Sequence, residues 1–141
     1  IYIDSYFERY PKIKEFMDKN VEFAKENGYA KTVFGRIRMI PELSSSNFNV
    51  RKFGERVAMN MPLQGTASDI IKLAMIATFR ELKNLESHII LQVHDELVID
   101  VKKEELEKVK EIVKRCMENV KTFRVPLVVN VGVGDNLYDC K

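Results

Sequence analysis

The strongest constraint on the fold of this chain comes from residues 88–101, where two apolar runs are separated by three polar residues. Both runs are rich in β-branched and large apolar side chains, which favour strands. The interruption is His94-Asp95-Glu96, which is too polar for a buried strand interior and suits a tight turn. The pattern therefore predicts an antiparallel hairpin with two carboxylates and an imidazole at its tip.

The two acidic residues at this tip have a chemical interpretation and a purely structural one. Neighbouring strand residues point to opposite faces, so Asp95 and Glu96 can serve one site only where a turn bends the backbone. Carboxylates are the hard oxygen ligands that Mg²⁺ and Mn²⁺ prefer, and a pair of such ions supports phosphoryl transfer. Asp and His are also ordinary turn residues, so the spacing alone leaves an exposed turn without chemistry as the alternative.

Composition narrows the class of protein without identifying a function. With 141 residues, 45% hydrophobic and 31% charged, the chain is one domain's worth of globular sequence. The formal net charge is only +2, so nucleic-acid binding would depend on local clusters of cations. No apolar run reaches the length of a membrane span, and Cys116 and Cys140 are too few for a disulfide scaffold or a zinc site. We expect a cytoplasmic protein without a membrane partner.

The first third of the chain predicts a helical pair. Apolar residues recur at helical spacing over residues 3–24. Pro11 should kink this helix or begin a second one at its first turn, and Gly28 should end it. Because the chain begins at Ile1 within this helical pattern rather than at a Met, we expect it to be the C-terminal piece of a longer protein.

A small hairpin should follow, with strands in residues 29–34 and 37–40. Arg36 and Arg38 would then lie on the same side of the second strand, with Lys31 nearby. A cationic ribbon of this kind suits phosphate contact, although a solvated strand face explains the same residues.

The middle of the chain predicts a loop and two helices. Residues 41–49 are rich in Ser and Asn and favour a surface loop. A short helix should span residues 50–60, end at Pro62 and be followed by a turn at residues 64–65. Thr66 should then begin a second helix that reaches about residue 85 and has a broad buried face.

Arg56, Asn60 and Gln64 follow one another at intervals of four residues. That spacing places them on one helical face if the helix continues through Pro62. Their donors and acceptors suit the edges of bases in a minor groove, where the N3 and O2 acceptors look alike in every pair. Taken alone, these residues are better explained by capping and turn formation.

The last third predicts a mixed unit. After the hairpin, residues 102–120 have the pattern of an amphipathic helix, and Pro126 opens a final strand over residues 126–133. Gly132 and Gly134 superficially suggest a phosphate loop, but a third glycine and a following helix are both missing, so we reject a dinucleotide site.

Several segments together resemble one known family. Residues 92–97 (QVHDEL) are similar to motif C of the family A DNA polymerases. Residues 6–13 (YFERYPKI), 28–36 (GYAKTVFGR), 60–69 (NMPLQGTASD) and 125–134 (VPLVVNVGVG) resemble other family segments in the family's order. The resemblance covers essentially the whole chain.

The resemblance implies an α+β fold, the C-terminal palm portion of a family A polymerase, with the motif C hairpin and a final strand packed with several helices. Residues 1–48 would form helices and a small hairpin at the boundary of fingers and palm. Residues 49–85 would be the DNA-contacting helices, and residues 86–141 would form the palm hairpin, its helix and the last strand.

The activity implied is template-directed DNA synthesis in replication or repair, by nucleotidyl transfer from a dNTP to a primer 3′-hydroxyl. By resemblance Asp95 is a catalytic, metal-binding carboxylate and Glu96 an auxiliary acid at the same site. Gln92 and His94 would lie near the primer end. The cofactor would be two Mg²⁺ ions, with Mn²⁺ as an alternative.

The partners implied are primer-template DNA, a dNTP and the remainder of the polymerase chain, in the cytoplasm and associated with the nucleoid. Arg56, Asn60 and Gln64 would contact the minor groove. The cationic ribbon described above adds Arg36 and Arg38 as candidate phosphate contacts.

The sequence also departs from the complete family pattern. The motif with the other catalytic carboxylate (Asp-Tyr-Ser-Gln-Ile-Glu-like) and the nucleotide-binding fingers helix have no match, so we expect these residues alone not to extend DNA efficiently. Two alternatives stay open: a non-catalytic DNA-binding module of the same fold, and a fragment of a single-subunit RNA polymerase. Glu96 and residues 64–67 favour the DNA enzyme.

Overall fold

The computed structural model describes residues 2–140. It contains helices α1 (Tyr2–Arg9) and α2 (Pro11–Asn27), strands β1 (Tyr29–Lys31) and β2 (Ile37–Met39), helix α3 (Phe48–Leu82), strands β3 (His88–Val93) and β4 (Glu96–Asp100), and helix α4 (Leu106–Glu118). Short 3₁₀ helices span Pro41–Ser44 and Lys103–Glu105. The predicted α+β class is confirmed. The chain divides into two compact units, residues 1–67 and 68–141, and each is described by itself.

The helical pair at the start of the first unit forms as predicted. Pro11 occupies the first turn of α2, where its fixed φ favours the helix and its missing N–H costs no hydrogen bond. Gly28 ends the helix in the left-handed conformation (φ +79°), and its N–H donates to the Ala24 carbonyl at 2.8 Å.

The first hairpin also forms, with Ala30 opposite Arg38 in an antiparallel pair. Gly35 lies in the turn with φ +85°, a conformation that favours glycine. Arg36 comes directly before β2 rather than within it. The core of this unit consists mostly of small residues: Ala24, Ala30, Ile40, Ala58 and Met61.

Helix α3 corrects the predicted break at Pro62. The structure has one continuous helix of 35 residues with Pro62 inside it, and no turn forms at residues 64–65. Thr66 does not cap a new helix, because its hydroxyl donates instead to the Pro62 carbonyl one turn earlier. Burial of Ala58 and Met61 on this helix supplies the tertiary packing that overrides the local signal of the proline.

The start of α3 lies within the predicted loop. The helix begins at Phe48, and the Asn47 side chain accepts the Asn49 N–H at 2.9 Å, as an N-cap does. Farther along, the expected broad burial is only partly present. One face is buried, whereas Leu73, Ile76 and Phe79 are exposed within the described residues.

In the second unit, the predicted hairpin of β3 and β4 packs on helix α4. The core comprises Leu82, Val109, Ile112 and Val113, with Ile89 and Ile99 of the hairpin packed against it. The helix predicted over residues 102–120 is shorter than expected, because Lys103–Glu105 forms a 3₁₀ helix before α4 begins at Leu106.

The final strand predicted over residues 126–133 does not form. Its alternating apolar residues would supply a strand face, but a strand also needs a backbone partner, and β3 pairs only with β4 among residues 2–140. The Val129 N–H donates to the Glu118 carboxylate at 3.0 Å instead. A Cβ built on Gly132 would lie 2.1 Å from the Cys140 carbonyl oxygen, so only glycine allows the chain to fold back this closely.

Across the part of the chain that is described, no helix is both long enough and apolar enough to cross a membrane.

Candidate active site and nucleic-acid interface

The tip of the second hairpin is a two-residue loop. Val93 pairs with Glu96, so only His94 and Asp95 lie between the strands. His94 has φ +50°, the left-handed conformation that tight hairpin loops require at their first position. The Gln92 side-chain amide donates to the His94 carbonyl at 2.6 Å and so braces the loop from within the same strand. The sharp bend that the sequence argument required is therefore present, at His94.

The two carboxylates at this tip are exposed and unengaged. Within residues 2–140, the side chains of Asp95 and Glu96 make no hydrogen bond and no ion pair. Their oxygens are hard donors with free lone pairs, which fits one side of a divalent-cation site. No group of three metal-ligating side chains occurs among the described residues.

A β-bulge in β3, which no sequence pattern indicates, determines which residues share a face of the hairpin. Ile89 pairs with Ile99 and Leu91 with Val98, so Ile90 is the extra residue. Because one residue is inserted, Gln92 rather than Leu91 shares the face of Ile89 and Ile99. No glycine marks the bulge in the sequence.

A network of hydrogen bonds that was not predicted from the sequence holds the base of the same hairpin. The Glu105 carboxylate accepts hydrogen bonds from Ser87 Oγ (2.6 Å), the Ser87 N–H (3.0 Å) and the Glu86 N–H (3.2 Å). Ser87 Oγ in turn accepts the Lys102 N–H at 3.1 Å. The hydrogen bond from Ser87, more than any other contact, lowers the pKa of Glu105 below its ordinary value. Ser87 and Glu105 are 18 residues apart in the chain, so no local pattern indicates that they pair.

In the first unit, Arg56, Asn60 and Gln64 are all exposed. Because α3 continues through Pro62, their spacing of four residues places them along one face of a single helix. The Arg56 guanidinium lies 5.8 Å from the centre of the Phe53 ring.

Two residues of the predicted cationic ribbon, Arg36 and Lys31, also contact other parts of the first unit. Arg36 Nη2 donates to the Gly65 carbonyl at 2.9 Å, so this arginine contacts α3. Arg38 lies at the centre of β2 and is exposed, and Lys31 Nζ lies 5.1 Å from the centre of the Phe23 ring.

Comparison with known proteins identifies the class to which this fold and these residues belong. The family model described as DNA polymerase family A matches residues 1–139. The chain belongs to DNA polymerase family A, whose members generally depend on divalent metal ions.

Individual relatives agree with this assignment. The chain is 55% identical to DNA polymerase I of Caldicellulosiruptor bescii and 44% identical to the thermostable DNA polymerase I of Thermus filiformis, in each case over 99% of this chain and 17% of the relative. The chain therefore spans about a sixth of the length of these curated relatives. A solved structure, the POL domain of Pol1 from M. smegmatis in complex with DNA primer-template and dNTP, is 43% identical with a TM-score of 0.91, over 94% of this chain and 24% of that one.

Proposed function

We propose that this chain is part of an enzyme that performs template-directed DNA synthesis, in which a primer 3′-hydroxyl displaces pyrophosphate from a dNTP. The observation that supports it best is the hairpin tip, with the unengaged Asp95 and Glu96 carboxylates, in a member of DNA polymerase family A. The M. smegmatis relative was captured with primer-template DNA and dNTP, and we propose the same two partners here.

At the hairpin tip, Asp95 is the proposed catalytic metal ligand and Glu96 its auxiliary acid. Two Mg²⁺ ions, or Mn²⁺, would supply charge neutralisation at the transferred phosphoryl group. The contribution of the chain itself is positioning: the left-handed His94 and the Gln92 amide hold the loop that presents Asp95. We also propose that Gln92 and His94 lie near the primer end.

The proposed DNA contacts come from α3 and the first hairpin. Arg56, Asn60 and Gln64 offer side-chain donors along one exposed face, and the N3 and O2 acceptors of a minor groove are present in every base pair. This arrangement suits contact that is independent of sequence. Arg36 and Arg38 are the proposed phosphate contacts.

The site in this chain is incomplete, so the remainder of the polymerase is a required partner. No described cluster of three ligands is present, and Mg²⁺ sites of this kind use several carboxylates together with substrate phosphates. We therefore expect these 141 residues alone not to extend primers efficiently. The proposal places the enzyme with the DNA, in the cytoplasm at the nucleoid, in replication or repair.

The test is Mg²⁺-dependent primer extension by a polymerase of the relatives' length that contains these residues, called the full-length enzyme below. Asp95→Ala should lower kcat by about a thousandfold, because a metal ligand contributes several kcal/mol of transition-state stabilisation. Asp100→Ala is the matched control, since Asp100 is an exposed aspartate at the other end of β4, at the base of the same hairpin.

Undiminished extension by Asp95→Ala would return the hairpin to an ordinary turn. These residues would then be a non-catalytic, DNA-binding part of the polymerase, whose contribution to binding would depend on salt and not on Asp95.

A further inference from the structure

A small hydrogen-bonded hub connects the β1–β2 turn to helix α3 at its internal proline. The Thr66 hydroxyl donates to the Pro62 carbonyl at 2.5 Å and accepts the Val33 N–H at 3.1 Å. Arg36 Nη2 donates to the carbonyl of the neighbouring Gly65 at 2.9 Å. The turn thus contacts the helix through two independent hydrogen bonds on consecutive residues.

The hub is closely packed as well as hydrogen-bonded. Thr66 is 8% exposed and Thr32 only 4%. A Cβ at Gly65 would lie 2.7 Å from Thr32 Cγ2, so even a methyl group there would force a movement. The Thr32 hydroxyl accepts the N–H groups of Phe34 and Arg36 at 3.3 and 3.2 Å, which fixes the turn itself.

The hub lies next to the α3 residues that are proposed to contact DNA. Pro62 cannot donate its backbone hydrogen bond, and prolines inside helices kink them. Asn60 and Gln64 lie two residues on either side of this proline and are exposed. Residues two apart on a helix are separated by about 200° around its axis, so the buried Thr66 lies on nearly the opposite face from Gln64.

We propose that Thr66 is a positioning residue for primer-template binding: its hydroxyl fixes the path of α3 across Pro62 and thereby the direction of Asn60 and Gln64. The proposal rests on the proposed function, which assigns these two amides to the minor groove. Thr66 itself contacts no DNA in this scheme. A hydrogen bond to the Pro62 carbonyl would be enough to satisfy the Thr66 hydroxyl. The same hydroxyl also accepts the Val33 N–H, 33 residues away in the chain, and so links the turn to the helix.

The first experiment measures the Kd of the full-length enzyme for a primer-template duplex, together with its melting temperature. Thr66→Val keeps the shape and removes the hydroxyl, and Thr66→Ser keeps the hydroxyl. We expect Thr66→Val to weaken binding about fivefold, the worth of one hydrogen bond, and Thr66→Ser to bind as the wild type does. Gln64→Ala should weaken binding by itself. In that background Thr66→Val should weaken binding by less than fivefold, because one of the two amides that Thr66 positions is already gone.

The outcomes separate this inference from the proposed function. Full additivity of the two substitutions would overturn the positioning role, as would a Thr66→Val enzyme with a lower melting temperature and an unchanged Kd. If Gln64→Ala leaves Kd unchanged, the minor-groove contact proposed for Gln64 fails, and the part of the Thr66 role that acts through Gln64 fails with it.

A second pair of variants tests the hub without removing the Thr66 hydroxyl. Gly65→Ala should weaken primer-template binding because its new methyl meets Thr32 Cγ2. Adding Thr32→Ser deletes that methyl partner and keeps the hydroxyl, so affinity should recover. A Gly65→Ala enzyme that binds as tightly as the wild type, or a double variant that does not recover, would contradict the proposal.

Discussion

The two regions proposed to act on DNA are held in place in different ways. The hairpin tip is braced locally, since Gln92 reaches the His94 carbonyl two residues away. The exposed face of α3 depends on contacts between Thr66 and Val33 and between Gly65 and Arg36, 33 and 29 residues apart. A local brace forms whenever the short segment forms, whereas a remote brace requires the unit to be folded. Substitutions at the hairpin tip should affect the chemical step, because the tip presents Asp95. Substitutions around α3 should affect DNA binding, because α3 presents Asn60 and Gln64.

Apart from the loss of Asp95 itself, the largest effect is expected from a substitution in the loop that presents Asp95. A β-branched residue with positive φ is strongly disfavoured, so His94→Val should strain or reshape the loop that presents Asp95. The strain is on the order of 1–3 kcal/mol, and we expect kcat to fall by up to about a hundredfold. His94→Asn is the matched control, because Asn tolerates the left-handed conformation. Single-turnover primer extension measures both variants.

If both His94 variants lose activity equally, the imidazole itself is required and the brace is not the deciding feature. If neither loses activity while Asp95→Ala does, the tip has support that the local contacts do not explain.

The next effect concerns the remote support of α3. Glu55 pairs with Lys25 of α2 at 2.6 Å and with Lys52 at 2.8 Å, and its side chain is 19% exposed. The hydrogen bond from Lys25, followed by that from Lys52, lowers the pKa of Glu55 from 4.5 to about 2. Glu55→Gln should therefore destabilise the first unit by on the order of 2 kcal/mol at pH 7, after allowance for solvent screening.

The sign of the pH dependence follows from the lowered pKa of Glu55. The stabilisation is fully present above pH 4.5, the ordinary pKa, and is lost as the pH falls toward 2. The stability difference between wild type and Glu55→Gln should shrink over that window. Amide hydrogen exchange of α2 in the full-length enzyme, measured at pH 7 and near pH 3, checks this. Glu26→Gln, at an exposed α2 glutamate without an ion pair among the described residues, should show no such difference.

The same division between local and remote contacts separates the features that were predicted from the sequence from those that were not. The hairpin, a tight turn in its polar interruption and the end of α2 at Gly28 depend on neighbouring residues and were predicted, as was a helix start at Pro11 as one of two alternatives. The predicted turn included Glu96, which instead begins β4. The continuity of α3 through Pro62 was not, because it depends on tertiary packing around Ala58 and Met61.

The prediction of a final strand was wrong for a related reason. Alternation in residues 126–133 describes one strand, whereas a sheet needs a second backbone whose place the sequence does not specify. At the candidate site, the residue types and the tip geometry were predictable, but the bulge at Ile90 and the Ser87–Glu105 network were not, since each results from pairing with distant residues. The catalytic and DNA-binding roles of the site residues stay predictions.

A smaller effect tests whether the hairpin also has a remote component at its base. Ser87→Ala removes the buried hydroxyl that bonds to Glu105 and accepts the Lys102 N–H. We expect the free energy of unfolding to fall by about 1 kcal/mol, which lowers the melting temperature. At temperatures below the melting transition, kcat should be nearly unchanged. Ser46→Ala, at an exposed hydroxyl without a partner among residues 2–140, is the control. A large fall in kcat at unchanged melting temperature would show that the tip depends on its base, and the contrast between the two regions would weaken.

The smallest expected effect is a gain in stability at Thr78. The hydroxyls of Thr66 and Ser87 each make two or more hydrogen bonds, whereas Thr78 Oγ1 is fully buried with no partner among the described residues. Thr78→Val removes this hydroxyl and keeps the shape, and should stabilise the protein by about 0.5–1 kcal/mol because an unsatisfied buried polar group is unfavourable. Thr78→Ser, which keeps the hydroxyl and deletes a buried methyl, should instead be destabilising. A melting temperature lowered by Thr78→Val would mean that this hydroxyl has a partner outside residues 2–140 in the full-length enzyme. It would then belong with Thr66 and Ser87, as a polar group whose role depends on remote contacts.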